Sequence, residues 1–176
     1  MNESEDNGFN ETLRKSLLVK AQKTQDVFWY EYLSWFYVQQ KEYGKAFIQE
    51  KAIYKRESAS LSNIINLSQL AIQENENETA KEILIYVLEN TKDIDLLIQA
   101  NAYLLEMRIE VAKTKDYKTI EEDLALLLKQ YGISPYSLSL QVLQAHFLTF
   151  NLKNPEAGKA VLKTTSELPL KKYQIE

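Results

Sequence analysis

Apolar residues recur at helical spacing through the stretch from residue 28 to residue 53, with the polar segment 39–42 between two runs. The inward-facing positions of the two runs are Tyr30, Leu33, Tyr37, Tyr43, Ala46 and Ile53. Residues three and four apart share one face of an α-helix, since the helix turns once every 3.6 residues. The pattern therefore predicts a helix, a tight turn and a second helix.

The same pattern returns 34 residues later. The matching positions are Ile64, Leu67, Ser68, Ala71, Ala80, Leu84 and Val87. Small residues coincide in both copies, because Ser68 follows Ser34 and Ala80 follows Ala46 at that interval. Small side chains let two antiparallel helices approach closely, and a hairpin that cannot bury its face alone stacks on a neighbour. We therefore expect a row of stacked helical hairpins.

A third pair of helices follows with weaker resemblance to the first two. Asp93 or Asp95 opens a helix that runs to about Lys113. The spacing Thr119-x-x-Glu122 predicts a capping box, in which the two side chains satisfy free backbone N–H groups at a helix start. The partner helix is therefore expected to begin near Thr119.

A fourth pair is marked mainly by its turn residues. Gly132 predicts a helix end, Pro135 the first turn of the next helix and Pro155 the start of the last one. Either Ala157 or Ala160 could make the close contact between the two helices. The phrase Ala-Gly-Lys-Ala echoes Tyr-Gly-Lys-Ala at residues 43–46, which favours Ala160.

These features resemble the tetratricopeptide repeat family, whose unit is a 34-residue helix–turn–helix. Ser34 and Ser68 stand at the family's helix glycine, and Lys41 and Asn75 at its turn glycine. The resemblance implies an all-α, right-handed solenoid of about nine helices. Its units would cover residues 27–56, 57–91, 93–131 and 135–168 of a repeat domain at 10–168. We predict a disordered N-terminus at 1–9 and a tail at 169–176.

A helix predicted from Glu11 to Gln25 takes the place of the second helix of a preceding repeat, so we expect the natural protein to continue upstream. Residues 35–52 also resemble part of longer bacterial tetratricopeptide proteins that carry an export signal. That resemblance would place the parent protein in the cell envelope. Without it, the cytoplasm is the default, since the polar residues 1–9 are no signal peptide.

The family resemblance also implies a concave groove, lined by the first helix of each unit, in which a ligand peptide lies. The groove positions are Phe28, Glu31, Trp35, Gln39, Ile65, Gln69, Gln73, Leu105, Ile109 and Lys113. Members that bind chaperone tails hold a carboxylate with a clamp of basic and amide side chains. Glu31, Trp35, Ile65 and Gln69 stand at the clamp positions here, which argues against that role.

Composition excludes several classes of function. The net charge of −4 disfavours nucleic acid, whose phosphates attract a basic surface. The absence of cysteine excludes disulfides and thiolate zinc sites. No apolar run reaches the roughly 18–20 residues that span a bilayer. Leu143, not glutamate, lies three residues before the single His146, so the Glu-x-x-His metal motif is absent. We predict no catalytic residue, metal or cofactor.

The surplus of aromatic residues in the first helix favours a binding function. Phe28, Trp35 and Phe36 point away from the face that the helix turns to its partner. They could pack on neighbouring helices, but Trp and Tyr dominate protein interfaces. We predict a non-catalytic scaffold that binds another protein or peptide segment. The alternatives are a structural module whose helical ends form the interface, with a homodimer possible, and a regulatory array for a signalling peptide or small ligand.

Overall fold

A computed structural model describes residues 3–24, 26–57 and 60–169, and within these ranges the chain is all-helical, with no strand. This confirms the predicted all-α class. Nine α-helices lie in these ranges: α1 (Glu3–Thr24), α2 (Val27–Gln39), α3 (Tyr43–Glu57), α4 (Ser62–Gln73), α5 (Asn77–Asn90), α6 (Ile94–Glu110), α7 (Tyr117–Tyr131), α8 (Leu138–His146) and α9 (Pro155–Ser166). From α2 onward the helices fall in pairs, within one residue of the predicted unit ranges.

The chain divides into two compact units, Met1–Val87 and Leu88–Glu176, here called the N-terminal and C-terminal units. Helix α1 begins at Glu3, earlier than the predicted start at Glu11, and it includes described residues of the segment that was expected to be disordered. Residues 1–2 and most of the predicted tail, 170–176, lie outside the described residues.

In the N-terminal unit, α2 packs on α1 and α3, and α3 packs on α4. The Phe47 ring of α3 meets the Tyr86 ring of α5 edge to face, with centroids 5.4 Å apart. The small residues that the repeat pattern singled out are buried: Ser34, Ala46, Ser68 and Ala80. Their burial confirms the prediction that small side chains occupy the places where helices come close.

The turns after α2 and α4 have the same backbone structure, 34 residues apart. Each contains one residue in the left-handed region, Lys41 with φ of 57° and Asn75 with φ of 62°. In each turn the next N–H donates to the carbonyl five residues earlier, which satisfies an acceptor that the helix end leaves free. These bonds run from Glu42 N to Tyr37 O and from Glu76 N to Ala71 O, each 2.8 Å long. The sequence repeat is thus also a repeat of turn geometry.

In the C-terminal unit, α6, α7 and α8 pack on one another around a single apolar cluster. Its buried members are Ile98, Ala102, Leu105, Ile109, Ile120, Leu124, Leu128, Leu140 and Phe147. Asp93 caps α6, as one predicted option, and its carboxylate accepts from Asp95 N at 2.9 Å. Gly132, with φ of 76°, ends α7 as predicted.

The predicted capping box at the start of α7 is wrong. The helix begins at Tyr117, so Thr119 lies inside its first turn and cannot cap it. A 3-10 turn, Thr114–Asp116, leads into the helix instead. The Asp116 carboxylate accepts a hydrogen bond from Lys113 N at 3.0 Å, which closes this turn.

The close contact between α8 and α9 is made by Gly158, and the prediction of Ala160 is wrong, because Ala160 is exposed. A π-helical segment, Phe147–Asn151, continues α8 and brings Thr149 against α9. A Cβ at position 158 would clash with Thr149 Oγ1 and lie 2.8 Å from the Ala145 carbonyl oxygen. Only glycine fits at this crossing without a shift of its neighbours.

Candidate functional site

Helix α2 displays large aromatic side chains on its outer surface. The Asp26 carboxylate fixes the helix start by accepting a hydrogen bond from Phe28 N at 3.1 Å. Phe28, Tyr32 and Trp35 are 46%, 48% and 57% exposed, whereas Phe36 is buried. The spacings of four and three residues place the three exposed rings on one side of the helix. Exposed rings in this number on one helix mark a candidate interaction surface.

The rings at the start of α2 contact one another. The Phe28 and Tyr32 centroids are 4.6 Å apart with ring planes tilted by 47°, and Trp29 meets Phe28 edge to face at 5.1 Å. The Lys20 ammonium lies 5.7 Å from the Trp29 ring centroid. We call Phe28, Trp29, Tyr32 and Trp35 the aromatic patch. Its mutual contacts hold these side chains in place, which lowers the entropy that a partner's binding would cost.

Carboxyl groups supply the charge near this helix. Glu31 is exposed on α2, and the half-buried Glu50 of α3 accepts a hydrogen bond from the Ser34 hydroxyl. Burial raises the pKa of Glu50, the Ser34 hydrogen bond opposes that rise, and the nearby negative charge of Glu31 adds to it. The surface therefore offers aromatic faces beside a negative charge, which suits apolar and stacking contacts.

The structure separates the predicted groove residues by exposure. Phe28, Glu31, Trp35, Gln39, Gln73 and Lys113 are exposed, and Gln69 is half-buried. Three assignments need correction, because Ile65, Leu105 and Ile109 are buried and offer no surface to a ligand. Leu105 and Ile109 belong to the apolar cluster of the C-terminal unit. The exposed positions on α6 include instead Asp95, Gln99, Glu106 and Glu110.

Tyr32 is the member of the aromatic patch that the family register does not assign to the groove. Its exposure and its contact with Phe28 show that it belongs to the same surface. The signal was present in the sequence, because Tyr32 lies four residues after Phe28 and three before Trp35.

Metal and membrane sites were also searched for. Among the described residues, no group of three or more His, Asp or Glu side chains could hold a metal ion. His146 is exposed, with its ring centroid 4.7 Å from that of Phe150. Within the same part of the chain, every helix is too short or too polar to span a bilayer.

Comparison with known proteins adds no relative. The chain matches no family model, no curated protein and no solved structure. The functional argument therefore depends on the molecule itself.

Proposed function

We propose that this chain is a non-catalytic scaffold, a tetratricopeptide-like right-handed solenoid of helix hairpins that binds a segment of another protein. The observation that carries the proposal is the aromatic patch on α2. Three of its rings are about half exposed although the N-terminal unit has an apolar core that could bury them. Aromatic residues held at a surface in this way are typical of interface hot spots.

The repeat assignment is supported by the two matching turns. Lys41 and Asn75 take the same left-handed conformation 34 residues apart, and the neighbouring backbone hydrogen bonds agree in partner spacing and length. Non-glycine residues adopt this conformation at a cost of roughly 1 kcal/mol, so its recurrence indicates one hairpin geometry used twice. Burial of Ala46 and Ala80 at equivalent places agrees with stacked hairpins.

Binding would derive its energy from water exclusion at the rings. Full burial of one large apolar side chain contributes about 1.5–3 kcal/mol. Truncation of a hot-spot aromatic residue costs about 2 kcal/mol or more, which corresponds to roughly a thirty-fold rise in Kd. Trp35, the most exposed ring on α2, is therefore the residue whose removal should weaken a partner most.

The test compares Trp35→Ala with Ile48→Ala, because both parent side chains are 57% exposed and both lie in the N-terminal unit. A cross-linked partner is first captured with the wild type from the source cell, identified and purified. Calorimetric titration should then show roughly thirty-fold weaker binding to Trp35→Ala and unchanged binding to Ile48→Ala. Equal affinities for all three chains would refute the role of the aromatic patch.

Self-association through the helical ends is the competing hypothesis, and the outer face of α1 gives it little support. The exposed side chains of α1 after residue 10 are mostly polar, including Glu11, Thr12, Lys15, Ser16, Gln22 and Lys23. Glu11 already pairs with Arg14 at 2.7 Å. A polar face with satisfied charges gains little when it is buried. Light scattering that showed a dimer retained by Trp35→Ala would favour the competing hypothesis.

A further inference from the structure

A row of polar and acidic side chains follows one side of α6. Asp95, Gln99, Glu106 and Glu110 are all exposed and are spaced by four, seven and four residues, so they form one stripe. Arg108 is two residues from Glu106 and Glu110 and so projects from the opposite side. It pairs there with Asp123 of α7 at 2.7 Å. No cation of α6 therefore balances the carboxylates of the stripe.

Helix α8 lies next to this stripe and is apolar where it is exposed. The two helices pack on each other, and Asp95 and Gln99 line a common cavity with Leu138 and Ser139. Leu138 and Val142 are 44% and 47% exposed. The sequence of α8 contains no Lys, Arg, Asp or Glu, so it does not neutralise the stripe either. We call this surface of the C-terminal unit the α6–α8 groove.

The cavity in the α6–α8 groove has a volume of about 290 Å³, and the buried Ile98 is among its lining residues. Ligand pockets usually span about 300–1,000 Å³, so this one suits a single long side chain better than a whole metabolite. The Asp95 carboxylate forms no ion pair with any residue that the structure describes. The cavity thus combines an unpaired negative charge with apolar contacts.

We propose that the α6–α8 groove binds a basic, amphipathic segment of a partner polypeptide and accepts a lysine or arginine side chain in the cavity beside Asp95. The aliphatic stem of such a side chain would contact Ile98 and Leu138 while its charged head meets the carboxylate. Apolar residues of the segment would cover Val142, and further basic residues would face Glu106. The site is separate from the aromatic patch and does not depend on it.

Synthetic fluorescein-labelled peptides test the proposal by fluorescence anisotropy. The wild type should bind an alternating lysine–leucine peptide, with an affinity that falls as salt rises because the carboxylates are exposed. It should bind the lysine–serine peptide more weakly and the glutamate–leucine peptide not at all. Absence of lysine–leucine binding at low salt, or equal binding of the lysine–serine peptide, would overturn the proposal.

Matched variants locate the binding. Asp95→Asn/Glu106→Gln removes two charges from the stripe, whereas Glu121→Gln/Glu122→Gln removes two from exposed positions on α7. The first should weaken the lysine–leucine peptide at least ten-fold and the second less than two-fold. Equal losses would show attraction to net charge alone and would refute the groove. Trp35→Ala should bind this peptide like the wild type, and a loss in that variant would move the site to the aromatic patch.

Discussion

Replacement of Gly158 by alanine should destabilise the C-terminal unit, although alanine is normally the better helix residue. Gly158 lies in α9, is buried, and faces the π-helical segment after α8. The added Cβ would clash with Thr149 Oγ1 and lie 2.8 Å from the Ala145 carbonyl oxygen. Thr149 could rotate, but its hydroxyl already donates to that same carbonyl at 2.8 Å. Relief of the clash would therefore break this hydrogen bond.

The size of the effect follows from two opposing contributions. Alanine gains about 0.8–1.0 kcal/mol over glycine from its helix propensity. Overpacking of a tight contact costs about 1–3 kcal/mol, and loss of the Thr149 hydrogen bond about 1 kcal/mol more. The net expectation for Gly158→Ala is a loss of about 1–2 kcal/mol. Thr149→Ala in the same chain removes the first clash and should restore part of that loss, since the Ala145 carbonyl remains.

Gly44→Ala is the matched control. Gly44 also lies in a helix, but a Cβ there would meet nothing closer than a Thr79 methyl carbon at 4.0 Å. It should therefore leave stability unchanged or raise it by up to about 1 kcal/mol. Urea unfolding followed by far-UV circular dichroism measures both variants. An unchanged or higher midpoint for Gly158→Ala would show that α8 and α9 are not in close contact at this glycine.

Two further substitutions test the packing of the N-terminal unit. Burial raises the pKa of Glu50, so folding favours its protonated form and this group's contribution to stability falls as pH rises through the raised pKa. Glu50→Gln keeps an acceptor for Ser34 and should gain stability over the wild type between about pH 4 and pH 7; a difference independent of pH in urea unfolding would contradict this. Ala80→Leu should lower the free energy of unfolding by about 1–3 kcal/mol because Ala80 is fully buried, whereas Ala160→Leu at an exposed position should be nearly neutral. Equal midpoints for these two leucine variants would show that the repeat register is wrong.

The parts of the fold that the sequence predicted are those governed by local chemistry. Asp26 and Asn154 accept backbone hydrogen bonds at the starts of α2 and α9, and Gly132 takes a positive φ at the end of α7. These residues act through their own side-chain or backbone preferences, so neighbours in space do not alter the prediction. Ala46 and Ala80 were predictable because both copies of the pattern are present to compare.

The parts that could not be predicted depend on how the helices meet. The helix α6 is apolar nearly all round, so its sequence does not show that Leu105 and Ile109 are buried while Glu106 is exposed between them. The π-helical segment adds a residue to one turn and rotates the residues after it, and apolar spacing carries no sign of that. For this reason Ala160 was preferred over Gly158, whose importance depends on a backbone it touches in another helix.

Both tryptophans of the chain lie on α2, Trp29 half-buried beside Lys20 and Trp35 largely in water. Indole emission shifts to shorter wavelength when water leaves the ring, so the unlabelled protein carries its own optical reporter for the aromatic patch. The segment from Leu88 to Glu176 contains no tryptophan. A ligand in the α6–α8 groove should therefore leave the emission unchanged, and a single fluorescence titration separates occupation of one surface from occupation of the other.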